Sequence, residues 1–331
     1  MRGYSNYRGR RMPLGKKLAI LAMVLILLLS GAYLVLSRYT AYDSEGHHYF
    51  DLPWRAEKDG GSEEGPDVSL VRQEPVDPLD EIHAVELGVD EWRSRADQGT
   101  WWEDEGYNAV ILRLKEADGL LGFASETAET ELVAENALTR AELETLTESG
   151  VYAAAKLSCF RDSAAAYADM AGRGLCQSSG YIWYDEENGH WLDPGKDAAQ
   201  DYLLGLIDEL AELGFDEIVL ENVGYPTAGR LSKAAPAEED HAERVTAFLR
   251  AAAETLAEKK VRLSLALEEE TLLSGGNAEA GLELADVLAG VRRVYVRTED
   301  GGAEETLHRM TESAVLVRID AEEGPRCHMI P

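Results

Sequence analysis

Cysteine and histidine are scarce in this chain of 331 residues, which holds three cysteines and seven histidines. Cys159, Cys176 and Cys327 match no zinc-binding spacing, and three cysteines are too few for a disulfide framework. A bridge between Cys159 and Cys176 remains open, but Cys159 falls in a predicted strand, which favours a buried thiol. No Gly-rich phosphate loop opens a helix, so nothing supports nucleotide binding. We expect neither a metal nor another cofactor.

Positive charge is also sparse, because 32 basic residues face 62 acidic ones and the net charge is −30. A surface this negative repels nucleic acid and anionic lipid, which argues against a nucleic-acid partner. Solubility is the simplest explanation of the charge. The amino terminus is the exception, since the first 38 residues contain seven basic residues and no acidic one.

A long apolar run occurs at residues 18–37. It is long enough to cross a bilayer, and the basic residues before it predict a cytoplasmic amino terminus. We expect a cytoplasmic basic arm at 1–17, a transmembrane signal anchor at 18–37 and an acidic flexible stalk at 38–80. The remaining chain is then an extracytoplasmic domain of a single-pass protein held in the cytoplasmic membrane. A cleaved signal peptide is the alternative.

From residue 81 onward, strand-like and helix-like segments alternate, which is typical of a parallel sheet covered by helices. Seven strands are predicted, at Ile82–Gly88, Tyr107–Leu114, Val151–Phe160, Phe215–Asn222, Val261–Glu268, Val291–Arg297 and Ala314–Ile319. Helices are predicted at Arg140–Ser149, Asp197–Leu213, Glu239–Lys259, Ala278–Leu288 and Ala303–Met310.

This pattern predicts an α/β fold, a (β/α)8-type TIM barrel over residues 81–331, either complete or irregular. An eighth strand is missing, lies in the tail after Asp320, or is replaced by Val68–Val71. A doubly wound open sheet is the alternative. Residues 161–196 form an insertion after the third strand, and Asn188-Gly189 predicts a tight hairpin turn within it.

Side-chain alternation along each strand predicts which residues point into the barrel. In Val261–Glu268 the leucine row should face the helices, which turns Glu268 inward at the upper rim. The same reasoning fills an upper cup with acidic and basic side chains: Glu86, Arg113, Lys156, Glu221, Glu268, Arg297 and Arg318. Carboxylates at the carboxyl ends of barrel strands are typical of active sites.

Two interpretations of this cup compete. Paired carboxylates can hydrolyse glycosidic bonds, with Glu221 as nucleophile or base and Glu268 or Glu86 as acid. Alternatively the charges only neutralise one another, because buried charges must be paired. Trp183 and Trp191 of the insertion offer rings for stacking on sugars, or else form a small local core.

Several motifs resemble a bacterial family of predicted glycoside hydrolases with a TIM-barrel domain. They are V-Y-A-A-A-K-L-S-C-F-R-D-S at 151–163, W-Y-D-E-E-N-G-H-W-L-D-P at 183–194, G-F-D-E-I-V-L-E-N-V-G-Y-P at 214–226 and Y-N-A-V-I-L-R-L-K-E-A-D-G at 107–119. The family's strand-four Asp corresponds to Glu221. Family acids on strands two and five correspond to Arg113 and Ala266, and Glu268 shares the inward face with Ala266.

Together with the predicted membrane anchor, the inward carboxylates and the aromatic residues at the rim, the resemblance points to a membrane-anchored enzyme that acts on a cell-envelope or extracellular polysaccharide or oligosaccharide. It implies substrate-binding roles for the motif residues and their neighbours in the cup: Arg113, Lys156, Asp162, Trp183, Trp191, Asp193, Asn222 and Tyr225. Because Arg113 and Ala266 replace acids, a degenerate barrel that binds glycan or scaffolds envelope proteins without turnover is the alternative. A purely structural anchor is a third.

Overall fold

The computed structural model describes residues 40–42, 48–50, 81–237, 239–298, 301–320 and 326–329. The chain divides into a unit of residues 1–72 and a unit of residues 73–331. In the first unit, Thr40–Tyr42 and His48–Phe50 pair as antiparallel strands within the segment expected to be a flexible stalk. The predicted arm and membrane span lie outside the described residues, as does Val68–Val71. None of the described helices is long and apolar enough to cross a membrane.

Eight strands of the second unit pair side by side and all run parallel. They are β1 Ile82–Leu87, β2 Ala109–Lys115, β3 Tyr152–Ser158, β4 Glu217–Glu221, β5 Arg262–Leu267, β6 Arg293–Val296, β7 Val315–Ile319 and β8 Arg326–Met329. Because β8 also pairs with β1, the strands form a closed ring. The fold is therefore a mostly parallel α/β sheet of the TIM-barrel type, with its eighth strand in the tail after Asp320.

Two short strands extend the sheet beside β2 and were not predicted. Leu121–Phe123 pairs antiparallel with the end of β2, and Val133–Leu138 pairs parallel with Leu121–Phe123. Together they build one side of the rim at the carboxyl ends of the strands.

Helices follow most strands and cover the outside of the ring. They are α1 Val89–Arg95, α2 Trp101–Asp104, α3 Arg140–Thr147, α4 Ser163–Ala168, α5 Asp197–Glu212, α6 His241–Lys259, α7 Glu269–Leu273, α8 Leu284–Val287 and α9 Gly302–Met310. Short 3-10 turns lie at Ala96–Gln98, Thr130–Leu132, Leu231–Lys233 and Leu288–Gly290. In α5 the buried residues Leu203, Leu206, Ile207 and Leu210 recur at helical spacing, which packs this helix on the sheet and on α6.

The prediction of a helix at Ala278–Leu288 is wrong for the first half of this segment. Gly276–Asn277 and Leu282–Glu283 form an antiparallel pair there, and the helix begins only at Leu284. Asn277 Oδ1 accepts hydrogen bonds from the backbone N–H groups of Glu279 and Ala280. This turn, with Gly281 at φ 72°, competes with the helix.

Apolar residues sort into an inner and an outer core. The inner core is small, with side chains that fit inside a narrow ring: Ile82, Ala84, Ala109, Ile111, Ala154, Val219, Tyr295 and Val317. Leu263 and Leu265 belong to the outer core, as alternation on β5 predicts, while Ala266 packs against the inner one. The expectation that Arg318 points inward is wrong, because Val317 occupies the inner face of β7 and Leu316 the outer one.

A buried ionic group lies among the inner-core residues. Arg293 Nη1 is 2.6 Å from Glu217 Oε2, and both side chains are fully buried. The hydroxyl groups of Tyr152 and Tyr295 donate to the same carboxylate at 2.8 and 3.0 Å. This paired arrangement involves residues outside the predicted cup, and it lies deeper in the barrel than the cup.

Candidate functional site

A cavity of about 350 Å³ opens at the carboxyl ends of the strands. Lys156 of β3, Glu221 of β4 and Ala266 of β5 line it, together with Glu268 just after β5. Because the carboxyl ends of parallel strands meet at one end of the ring, residues far apart in sequence converge there. The structure therefore brings Glu221, Glu268 and Lys156 into one solvent-reachable space.

Glu221 forms an ion pair in the floor of this cavity. Its Oε2 atom is 3.1 Å from Lys156 Nζ, and its side chain is 29% exposed. Lys156 Nζ also lies 3.2 Å from Oε2 of Glu86, so a single ammonium group serves two carboxylates. Burial opposes the charged form of Lys156, but the two carboxylates outweigh burial and raise its pKa.

Glu86 lies deeper and is 1% exposed. Burial alone would raise its pKa, but His328 and Lys156 stabilise the carboxylate and lower the pKa to about 2. His328 Nε2, on β8, is 2.9 Å from Glu86 Oε2. Glu86 is therefore held as a buried carboxylate between Lys156 and His328, out of reach of a substrate, which argues against its expected role as a candidate acid.

Glu268 occupies a different environment at the cavity wall. It follows β5 directly, its side chain is exposed, and it stands just before the first residue of α7. Arg297, also in the wall, pairs with Asp320 at the rim. The cavity thus contains one carboxylate paired with a lysine and one that faces solvent.

The loop after β4 shapes the opposite wall. Asn222 takes a left-handed conformation, with φ 51°, and its Nδ2 atom donates to Ser158 Oγ at 2.9 Å. Gly224 has φ 124°, and a β-carbon there would lie 2.3 Å from the Ala280 carbonyl oxygen. Tyr225 lines the cavity and stacks on His241, with ring centroids 3.7 Å apart.

The insertion contributes Trp191 to the cavity wall. The predicted hairpin is present, because Tyr184 and His190 pair antiparallel and Asn188 is left-handed at φ 63°. Trp191 Nε1 donates to Asp185 Oδ2 at 3.0 Å, which fixes the ring. Its orientation leaves an aromatic surface beside the carboxylates.

Three predicted substrate-binding residues are buried outside this cavity. Trp183 is 1% exposed and its Nε1 donates to the Arg230 carbonyl, so it anchors the insertion. Asp162 caps α4 and lies 2.8 Å from Lys115 Nζ in a fully buried pair. Asp193 accepts from two backbone N–H groups, and burial raises its pKa despite those bonds. The structure gives all three a structural role in place of the expected contact with substrate.

Arg113 faces a second cavity, of about 420 Å³, on the side of the rim built by the extra strands. Its guanidinium lies 3.4 Å from Glu91, 3.7 Å from Glu116 and 3.8 Å from Glu86. Arg113 is therefore held by three carboxylates next to the main cavity.

Sequence reasoning missed His328, because the strand that carries it was only one of three alternatives for the eighth position.

The free thiols of Cys159 and Cys176 confirm the preference for an unbridged Cys159. Within the described segments, no group of three or more His, Cys, Asp or Glu side chains could hold a metal ion.

A family profile described as "Putative glycosyl hydrolase domain" matches residues 87–269, more than half of the chain. The chain belongs to this family. The match confirms the resemblance seen in the sequence motifs and spans the strands that carry Arg113, Lys156 and Glu221. A search of curated protein sequences gave no significant match.

Two solved structures of glycoside hydrolases share the fold of this chain, and a third solved structure has lower similarity to it. The PgaB (BpsB) glycoside hydrolase domain from Bordetella bronchiseptica is 11% identical, with a TM-score of 0.54 over 76% of this chain and 94% of its own. A chitobiase from Flavobacterium johnsoniae is 14% identical, with a TM-score of 0.50 over 72% of this chain and 38% of its own. A hypothetical protein from Ruminiclostridium thermocellum is 22% identical, with a TM-score of 0.47 over 55% and 96%.

Proposed function

We propose that this protein hydrolyses glycosidic bonds in a cell-envelope or extracellular polysaccharide, with Glu221 as nucleophile or base and Glu268 as acid. One observation carries the proposal: both carboxyl groups line a single cavity of about 350 Å³ at the carboxyl ends of parallel strands. Enzymes built on parallel barrels hold their active sites at this face. Trp191, which is only partly buried in the same wall, offers an aromatic surface to sugar rings.

The chemistry needs two carboxyl groups in different states. Glu268 faces solvent, so it can be reprotonated between turnovers, and it donates a proton to the glycosidic oxygen as the bond to the anomeric carbon breaks. Glu221 either bonds to the anomeric carbon or removes a proton from the water that attacks it. Water supplies the hydrogen and the hydroxyl that end on the two products. The anomeric form of the first product, followed by NMR, distinguishes these two routes.

Release of reducing ends from a panel of polysaccharides and oligosaccharides tests the assignment. Glu221→Gln should lower kcat at least ~100-fold, the usual range for loss of a catalytic acid or base. Glu268→Gln should be as damaging on natural glycans, but mild on aryl glycosides whose leaving group needs no proton. Glu270→Gln is the matched control, because Glu270 is an exposed acid of α7 outside the cavity lining. Full activity in Glu221→Gln would end the assignment of Glu221.

We also propose that residues 18–37 anchor the domain in the cytoplasmic membrane with the amino terminus inside. The apolar run and the basic residues before it support this orientation. Protease added to intact spheroplasts should then digest the domain and leave a small membrane-bound fragment. Recovery of the whole chain in the soluble fraction would contradict the anchor.

Glycan binding without turnover is the second candidate function. It is favoured by Arg113 and Ala266, which stand where the family resemblance places acids, and by the three carboxylates that hold Arg113. In this case titration calorimetry shows saturable glycan binding, no reducing ends appear, and Glu221→Gln binds like the wild type.

A further inference from the structure

A chain of ionisable side chains runs beneath the cavity from the last strand of the ring to Glu221. His328 Nε2 is 2.9 Å from Glu86 Oε2, and Lys156 Nζ is 3.2 Å from the same oxygen. Lys156 Nζ then lies 3.1 Å from Glu221 Oε2. The four residues belong to β8, β1, β3 and β4, so contacts between separate strands create the chain.

We propose that Glu86 and His328 are positioning residues: Glu86 holds the Lys156 ammonium against Glu221 and offsets its charge, and His328 holds Glu86 in place. The inference rests on the proposed function, since it concerns the electrostatics of the same cavity. Neither residue is in position to touch a substrate, because Glu86 and His328 are each 1% exposed.

The reason lies in the charge count. One ammonium group pairs with two carboxylates, so Glu86, Lys156 and Glu221 together carry one net negative charge. Glycoside cleavage passes through an oxocarbenium-like transition state, which such a charge stabilises. Without the Glu86 carboxylate, Lys156 would neutralise Glu221 alone and the net charge at the cavity floor would fall to zero.

The other groups that face Glu86 make this role specific. Arg113 Nε is farther away, at 3.8 Å, and Glu91 and Glu116 share its charge. His328 is close and buried, and its Nε2 atom lies 2.9 Å from Oε2 of the Glu86 carboxylate. His328 therefore fixes the position of the carboxylate, and Glu86 in turn fixes Lys156.

Kinetics on the most active glycan provide the first test. Glu86→Gln keeps the shape but removes the charge, so kcat should fall ~10-fold or more while KM stays within ~2-fold, as for an interaction made in the transition state. His328→Leu should lower kcat similarly, and His328→Gln, which keeps an N–H donor, should recover most of it. In the combined Glu86→Gln and Lys156→Met variant, the fold-decrease in kcat should be smaller than the product of the fold-decreases in the two single variants. His308→Gln, an exposed histidine of α9, is the control.

A second measurement needs no substrate. In the full chain labelled with ¹⁵N-lysine, the ammonium signal absent from Lys156→Met reports on Lys156. Its hydrogen exchange should be slow in the wild type and in His328→Gln, and at least several-fold faster in Glu86→Gln and His328→Leu. If Glu86→Gln does not fold, the comparison of His328→Gln with His328→Leu still tests the proposal, provided that both variants give the circular dichroism spectrum of the folded wild type.

The outcomes separate the two proposals. If the wild type cleaves no glycan but the ammonium signal responds as expected, the proposed function fails and the arrangement around Lys156 stands. If glycan is cleaved and kcat is unchanged in Glu86→Gln or His328→Leu, the positioning roles are refuted. An ammonium signal that is insensitive to both variants also refutes them.

Discussion

The buried ion pair between Glu217 and Arg293 allows a stability prediction with a defined magnitude. The two side chains are 2.6 Å apart and fully buried, and both Tyr152 and Tyr295 donate to Glu217. Glu217→Gln keeps the volume and the hydrogen-bond acceptor but leaves the Arg293 guanidinium without its countercharge. Removing one partner of such a buried pair costs about 3–5 kcal/mol.

Urea unfolding followed by circular dichroism measures this loss. For a domain of this size, each kcal/mol lowers Tm by ~2–4 °C, so a decrease of roughly 10 °C is expected in a thermal scan. Glu144→Gln is the matched control, because the Arg140–Glu144 pair is largely solvated, with side chains 55% and 43% exposed. Such a pair should contribute ~0.5 kcal/mol or less.

The double variant Glu217→Gln with Arg293→Met distinguishes an orphaned charge from lost packing. It removes the uncompensated guanidinium, so it should be more stable than Glu217→Gln alone. The reasoning is refuted if Glu217→Gln loses less than ~1 kcal/mol, or if the double variant loses the full sum of the single losses.

Three further outcomes are expected. The pKa of Glu86 is about 2 instead of 4.5, so its ionisation contributes about 3 kcal/mol to the free energy of unfolding. This contribution is present above pH 4.5 and is lost as the pH falls towards 2. The urea midpoints of wild type and Glu86→Gln should therefore converge over that range. Gly224→Ala should lower stability by ~1–3 kcal/mol in the same unfolding assay, because its β-carbon meets the Ala280 carbonyl. Ala266→Asp introduced into the Glu268→Gln variant should restore part of the reducing-end release. No recovery would argue against the idea that Glu268 takes the place of the family acid expected at Ala266.

Much of the ring follows from the sequence because its strands are buried on both sides. Such strands read as short apolar runs, and alternation then decides the face of each residue. The placement of Lys156, Glu221 and Glu268 around one cavity follows from this rule together with the convergence of strand ends. The positions of these three residues could be predicted from the fold alone, without knowing which residues contact each other across the ring.

Other features depend on contacts that have no local signal. β8 has four residues and closes the ring by pairing with β7 and β1, so the hydrophobic pattern of the tail does not reveal it. His328 therefore could not be assigned to the site. Trp183 and Asp193 lie in the same motif as Trp191, yet only packing of the insertion decides that Trp191 reaches the cavity. Within that motif, residue type alone does not separate a sugar contact from a structural anchor.

The inward carboxylates form a series in depth, and their exposure assigns their roles. Glu217 is fully buried and bound by Arg293, and Glu86 is 1% exposed and bound by Lys156 and His328. Glu221 is 29% exposed and shares Lys156, whereas Glu268 faces solvent. A carboxyl group that must release a proton to a glycan and recover it from water has to be reachable, which excludes the two lower residues. Burial alone thus reduces the inward acids to the two at the cavity.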